Sequence, residues 1–475
     1  MEKSIWSQFK KVSYMSIIHE LAQHIIRTQF DDLSTYDIEN AKDRIMDVIG
    51  CMVSGAHATG CSMVVDLVRD WGGKKESTII VHGGKVPTHN AAMVNSVMAR
   101  SYDFEPAGPF VEGKGTPGHL SGTTIPTAIA VAEQLASNGQ DLLTALILGD
   151  DMASRIVAAS QYNLDSGWDC TGTVNVFGAT AIAGKFWGLS EEQLINAFGI
   201  ALNQMAGTFQ NLFDGTHSFK LPQGLAARAG IMSVELAAKG FTSVRDPLLS
   251  KNGYFALYCK DYNPDAITKD LGTIHYADQT FKPYPCCRSN HAAIDCVFEI
   301  IRKHGVKYND IDHVVVDVPP LAYQFVVGQP FQIGQVPQVN AVFSLQYTVA
   351  NALIRKDVRL DHFSDEAVKD PKVLEFIKKI KLNPGMPSDQ PLSARVTVAM
   401  KAGTEYHEEV MIPKGNDVLS PSSKDEKQDK FRTNMAFSRV MSEEKTEVLL
   451  ERLKRFEIIP DIKEITQLLV IGGSI

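Results

Sequence analysis

A chain of 475 residues can bury large cores and is expected to divide into two or more domains, because single hydrophobic cores stop growing at roughly 250–300 residues. Its 44% hydrophobic and 21% charged residues suit a soluble globular protein, and 47 Lys and Arg against 55 Asp and Glu give a net charge of −8. That balance supplies no basic field for nucleic acid or an anionic membrane, so an anionic substrate needs locally placed Lys or Arg. Met1 to Lys11 lacks the apolar core of a signal peptide and no run approaches the ~20 apolar residues of a membrane span, so a cytoplasmic protein is expected. The cysteines Cys51, Cys61, Cys170, Cys259, Cys286, Cys287 and Cys296 are odd in number and scattered, which argues against a disulfide framework. With no CxxC or HExxH pattern, metal independence is the expectation.

Helical periodicity begins with Ile17, Ile18, Leu21, Ala22, Ile25 and Ile26. A second helix is expected from Tyr36, capped by Ser34 or Thr35, with Ile38, Ala41, Ile45, Val48, Ile49 and Met52 inward and Gly55 as its stop. Thr88 is the candidate cap of a small-residue helix ending near Asp103. Ala- and Gly-rich segments at Gly178–Gly184 and Gly224–Gly230 predict helices that approach closely, hence a compact helical bundle up to about residue 240. After about residue 270 the texture changes. Strands at 313–318 and 394–400 among helices at 289–305, 341–354 and 365–380 predict an α+β domain. A polar run from Pro421 to Lys430 then leads to helical patterns expected to return to the first domain. The expected division is 1–272 and 416–475 for the helical domain and 273–415 for the α+β one.

Chemistry-bearing groups gather between Ser101 and Gly122, where Asp103 and Glu105 lead through a glycine-rich loop to His119. Gly108 to Lys114 spells most of a Walker A loop, yet Gly115 stands where the Mg²⁺-binding hydroxyl belongs. Gly113, Gly115 and Gly118 spell GxGxxG without the preceding apolar strand that a dinucleotide fold requires. Asp103 and His119, sixteen positions apart, meet only if the loop folds back, and a solvated loop histidine is the competing reading. Lys220 precedes an Ala-rich helix, where its charge and the helix dipole would together hold a carboxylate; a surface lysine is the alternative. Phe281 to His291 places Lys282, Cys286, Cys287 and Arg288 in a proline-fixed turn before a helix, a good place for anion contacts. The paired cysteines read either as a reactive thiol or as buried and inert, and His291 as a packing, capping or catalytic residue.

Together these motifs resemble the MmgE/PrpD family over nearly the whole chain: Ala41–Gly50, Asn95–Phe104, Gly118–Gly122, Phe219-Lys220, Phe281–Cys287 with His291–Asp295, Ala341–Leu345, and Pro413–Gly415 followed by Lys430-Phe431. The resemblance implies an all-helical domain built from both ends of the chain, an α+β lid domain, a homodimer, and an active site in the cleft between domains that needs no metal or organic cofactor. It implies Asp103, His119 and Lys220 as active-site positions and Lys282 and Tyr323 as lid-side ones; with the chemistry read above, the candidate catalytic residues are Asp103, His119, Lys220 and Tyr323, and the candidate substrate-binding ones Lys282, Arg288, Asp169 and Cys287. Asp169 and Cys287 stand where the decarboxylase branch carries histidines, so neither dehydratase nor decarboxylase activity transfers automatically. The function implied is a cofactor-independent hydro-lyase, similar to 2-methylcitrate dehydratase, acting beside a carboxylate of a hydroxylated di- or tricarboxylic acid. The alternatives are an epimerase of a dicarboxylate such as iminodisuccinate, a cis-aconitate-type decarboxylase, and a non-catalytic carboxylate-binding relative.

Overall fold

The computed structural model describes residues 15–471; the leaderless reading of the first eleven residues lies outside them. The first helix, Met15–Arg27, buries Ile17, Ile18, Leu21, Ala22 and Ile25, the stripe expected from their spacing. Ser34 caps the second, Thr35–Gly55, and exchanges hydrogen bonds with Asp37 in a capping box. Gly55 ends that helix for a packing reason, because a Cβ there would lie 2.0 Å from the Met98 carbonyl oxygen of the neighbouring helix Thr88–Arg100. Thr88 sits one residue inside its helix, with Pro87 in the cap position.

Helices Ser121–Leu135, Gly139–Ala159, Val174–Phe186, Glu191–Leu202 and Leu221–Ala238 complete the bundle. Their small residues permit backbone contact: a Cβ on Gly230 would lie 2.5 Å from the Ala179 Cβ, and one on Gly149 2.7 Å from the Gly178 oxygen. Strands Ile380–Asn383, Ile311–Asp317, Ala394–Met400 and Glu405–Val410, in that order, form the main sheet, parallel at its first pair and antiparallel afterwards. Val314 and Val316 point inward, beneath helices His291–His304 and Leu345–Arg355. The helix Lys424–Phe437 starts inside the polar run, capped by Ser423, and lies back on Thr35–Gly55. Phe431 and Asn434 contact the Gly50 position, while Lys427 pairs with Asp43 and Lys430 with Asp47.

The glycine-rich loop is a β-hairpin. Val111 pairs with Lys114 across Glu112 and Gly113, whose φ angles of 51° and 79° are those of a type I′ turn. This accounts for the glycines without a phosphate: neither the strand–loop–helix of a P-loop nor that of a dinucleotide fold is present at 108–118. The hairpin strand Ala107–Val111 also pairs with Asp278–Thr280. That pairing brings Asp278 to the start of Ser121–Leu135, where its Oδ2 accepts from Leu120 N (3.0 Å), Ser121 N (2.8 Å) and Ser121 Oγ (2.7 Å). A cap supplied from 157 residues away thus fixes the backbone beside His119. Burial pushes the Asp278 carboxyl up to about 7. Asp278→Ala is expected to lower stability by about 1–3 kcal/mol, read as a smaller urea midpoint, because it orphans buried N–H groups.

Candidate functional site

The helix Thr88–Arg100 ends on a buried charge network. Asp103, with φ of +50°, turns the chain so that its carboxylate faces back toward Arg100. The Arg100 guanidinium donates to Asp103 Oδ1, to Glu105 Oε1 at 2.8 Å, and lies 3.1 Å from His119 Nδ1. Lys282 reaches in from beyond the Asp278–Thr280 strand and donates to the Asp103 carbonyl (2.6 Å) and Oδ2 (2.7 Å). Two carboxylates are thus matched by two cations, and all four side chains are at most 5% exposed.

His119 lies against this network with its side chain 16% exposed and its Nδ1 3.1 Å from Glu105 Oε1. Arg100 already serves both carboxylates, and a carboxylate accepts more strongly than an imidazole, so Nδ1–H is assigned as donor to Glu105. That leaves the Nε2 lone pair free, 4.0 Å from Asp103 Oδ1. Burial, followed by Arg100 and Lys282, pulls the imidazole below its ordinary 6.5, so it is neutral at pH 7. Burial, the largest single influence, would raise the acids, but Arg100, Lys282 and His119 together outweigh it and hold Asp103 and Glu105 below the carboxylate range. Asp103, Glu105 and His119 offer donor atoms within 4.8 Å of one another, the spacing of a metal site. Arg100 nevertheless sits among all three and Lys282 adds a second charge, so the set is electrostatically complete rather than open to a cation.

Lys220 forms the other half of the site. It occupies the cap position of Leu221–Ala238, is 3% exposed, and donates to Thr59 O (2.7 Å), Ser101 Oγ (3.2 Å) and Cys61 Sγ (3.4 Å). None of these partners carries a carboxylate. Burial lowers the pKa of this ammonium, and the helix N-terminus adds a positive end beside it. Because Arg100 faces His119 and Ser101 faces Lys220, one helix end holds both groups. Gln338 ties the α+β part to the same place through the Ser101 carbonyl, at 2.7 Å.

The turn at 169–172 packs against the first turn of the helix that Lys220 caps: a Cβ on Gly172 would lie 3.0 Å from Pro222 Cβ. Asp169 caps that turn through Thr171 N and is close enough to Arg100 to strengthen its hold on a proton. Tyr323, on Pro320–Gln324, is 37% exposed, and among the described residues its hydroxyl has no hydrogen-bond partner. Phe325 anchors its segment edge-on to Phe209 and Phe213, next to the Gly207 carbonyl that receives Asp169 N.

The remaining expected residues are placed differently. Lys282, expected to meet substrate, is committed to Asp103. Arg288 donates to the Pro413 and Lys414 carbonyls, and burial lowers its pKa to about 10. Cys287 is half-buried with its thiol pushed up to about 11 by burial, which makes it a poor nucleophile. Arg288 braces the backbone in this state rather than presenting a free guanidinium. Beyond Lys282 and Phe104 lies a cavity of about 430 Å³ that includes Lys427 and Lys430, already paired with Asp43, Asp417 and Asp47. Two members of the network were absent from the expected site. Glu105 was visible two positions from Asp103, whereas Arg100, a basic residue in a last helical turn, looks like ordinary dipole compensation.

Comparison with known proteins matches this two-part architecture along its length. Residues 19–267 match the MmgE/PrpD N-terminal domain and residues 284–455 the MmgE/PrpD C-terminal domain. The chain is similar to cis-aconitate decarboxylase of Mus musculus, 25% identical over 96% of this chain and 93% of that one. It is likewise similar to cis-aconitate decarboxylase of Aspergillus terreus (25%; 92% and 93% covered) and to the cis-aconitate decarboxylase-like protein oryM of Aspergillus oryzae (22%; 96% and 97%). The chain belongs to the MmgE/PrpD family.

Proposed function

We propose that the protein is a lyase that removes a proton from the carbon beside a carboxylate of a hydroxylated di- or tricarboxylic acid and expels water. The observation that carries this reading is Lys220, a buried ammonium bonded among the described residues to neutral groups, held at the same helix end as a histidine that burial keeps neutral. A buried cation without an anion is costly, and a substrate carboxylate supplies the missing charge. With the carboxylate on Lys220 and at the helix N-terminus, charge that develops on it as the adjacent C–H bond breaks is already compensated. His119 Nε2 takes the proton, while Glu105 holds Nδ1–H and stabilises the imidazolium. The electron pair of the broken C–H bond becomes the new double bond and the C–O pair leaves with the hydroxyl, which receives a proton from Tyr323 or from the imidazolium. Elimination of this kind requires acid, base and fixed charge, without an electron carrier.

A second reading, decarboxylation, is supported by the names of the relatives at 22–25% identity. There Lys220 would stabilise the anion left by departing CO₂ and an acid would protonate the carbon. Epimerisation of a dicarboxylate uses the same abstraction with return of the proton on the other face. The pH profile tests the proton abstraction that elimination and epimerisation share. Because His119 titrates below 6.5 in the fold, its active neutral form persists as pH falls through that value. The acid limb of kcat/KM should therefore lie below pH 6.5, and Glu105→Gln should move it. A limb at or above pH 7 rules out His119 as the base.

A further inference from the structure

Charge pairing around the end of Thr88–Arg100 leaves two groups over. Arg100 and Lys282 are matched by Asp103 and Glu105. Lys220 has no carboxylate partner, and among the described residues Asp169 has no cation within 4.0 Å. The two are not paired with each other, although the 169–172 turn and the Lys220 cap both lie against Pro222. Asp169 is 5% exposed, and its Oδ1 accepts from Thr171 N at 2.9 Å while Oδ2 takes part in no protein hydrogen bond. A carboxylate is an acceptor with room for several donors, and Asp169 Oδ2 is not among the oxygens sealed from solvent, so it is open to a donor from outside the protein.

We infer that Asp169 is a specificity-determining residue: it takes a hydrogen-bond donor of the substrate, hydroxyl or ammonium, while Lys220 takes a carboxylate of the same molecule. The inference rests on the proposed role of Lys220 and narrows the substrate to a donor-bearing dicarboxylate. A third carboxylate directed at this wall would meet a like charge in a poorly hydrated place, which opposes tricarboxylates. The proximity of Asp169 to Arg100 does not relieve that repulsion, since Arg100 is held by Asp103 and Glu105.

Calorimetric binding of succinate, malate, aspartate and tricarballylate separates the possibilities, because the first three share a carbon skeleton and differ in the donor. Malate or aspartate should bind about tenfold or more tighter than succinate, the worth of one hydrogen bond to a charged group, and tricarballylate weakest. The better of malate and aspartate tells hydroxyl from ammonium. Asp169→Asn keeps an acceptor for Thr171 N, so the turn should fold, while the donor preference should shrink and tricarballylate should gain about tenfold. An unchanged order in this variant, or tricarballylate binding best to the unaltered protein, overturns the inference. Lys220→Met should weaken all four acids. If it does not while the Asp169 preference holds, the role of Lys220 fails and that of Asp169 stands; no binding by any of the four overturns both.

Discussion

Replacing Lys220 by methionine is expected to lower kcat by about 10²–10³-fold, the usual worth of one preorganised group facing developing charge. The same change should raise the melting temperature. Lys220 is 3% exposed and its pKa is lowered by burial, so below that value its charge is held in the fold at a cost that the unfolded chain does not carry. Methionine fills most of the volume and removes the charge, leaving the hydrogen-bond partners Thr59 O, Ser101 Oγ and Cys61 Sγ to readjust. Activity lost while stability is gained is the signature of a group kept for function. Steady-state kinetics together with a thermal melt test it, and a variant with full activity would remove Lys220 from the mechanism.

Lys282→Met should do the opposite. This ammonium makes two short bonds to Asp103 and is fully buried, so its removal leaves two carboxylates facing Arg100 alone. Breaking a buried pair on one side costs about 3–5 kcal/mol, because the remaining charge stays desolvated and unmatched. That is a large share of the stability of an ordinary domain, so the variant should unfold at lower urea or accumulate poorly. Restoring the balance with Asp103→Asn should recover much of the loss, through coupling that distant residues do not show. Equal denaturation midpoints for Lys282→Met and the unaltered protein would contradict the ion-pair geometry. The two lysines, alike in the sequence as basic residues beside helix starts, are thus separated by what they face.

The bundle was readable from spacing alone, since a stripe such as Ile17, Ile18, Leu21 and Ile25 has one helical solution. So was the second texture: the expected strand 394–400 is the observed one, and 313–318 falls on Ile311–Asp317. The hairpin at 107–115 was hidden because its glycines, serving a type I′ turn, imitate phosphate-loop spacing. In the site, residue types were legible but partners were not. That Asp278 caps a helix starting at Ser121, and that Lys282 faces Asp103 rather than solvent, depends on strand pairing between segments some 170 residues apart. The role of Arg100 follows from the positive φ of Asp103, which no spacing rule predicts.

The most direct test of the central claim is proton NMR of the purified protein in D₂O with 2-methylcitrate, citrate, malate, cis-aconitate and iminodisuccinate. The account predicts new olefinic signals from a hydroxylated acid, with deuterium entering the carbon beside the carboxylate, and loss of both in His119→Asn. Loss of a carboxyl carbon without exchange at that position, or olefin formation that survives in His119→Asn, would contradict it.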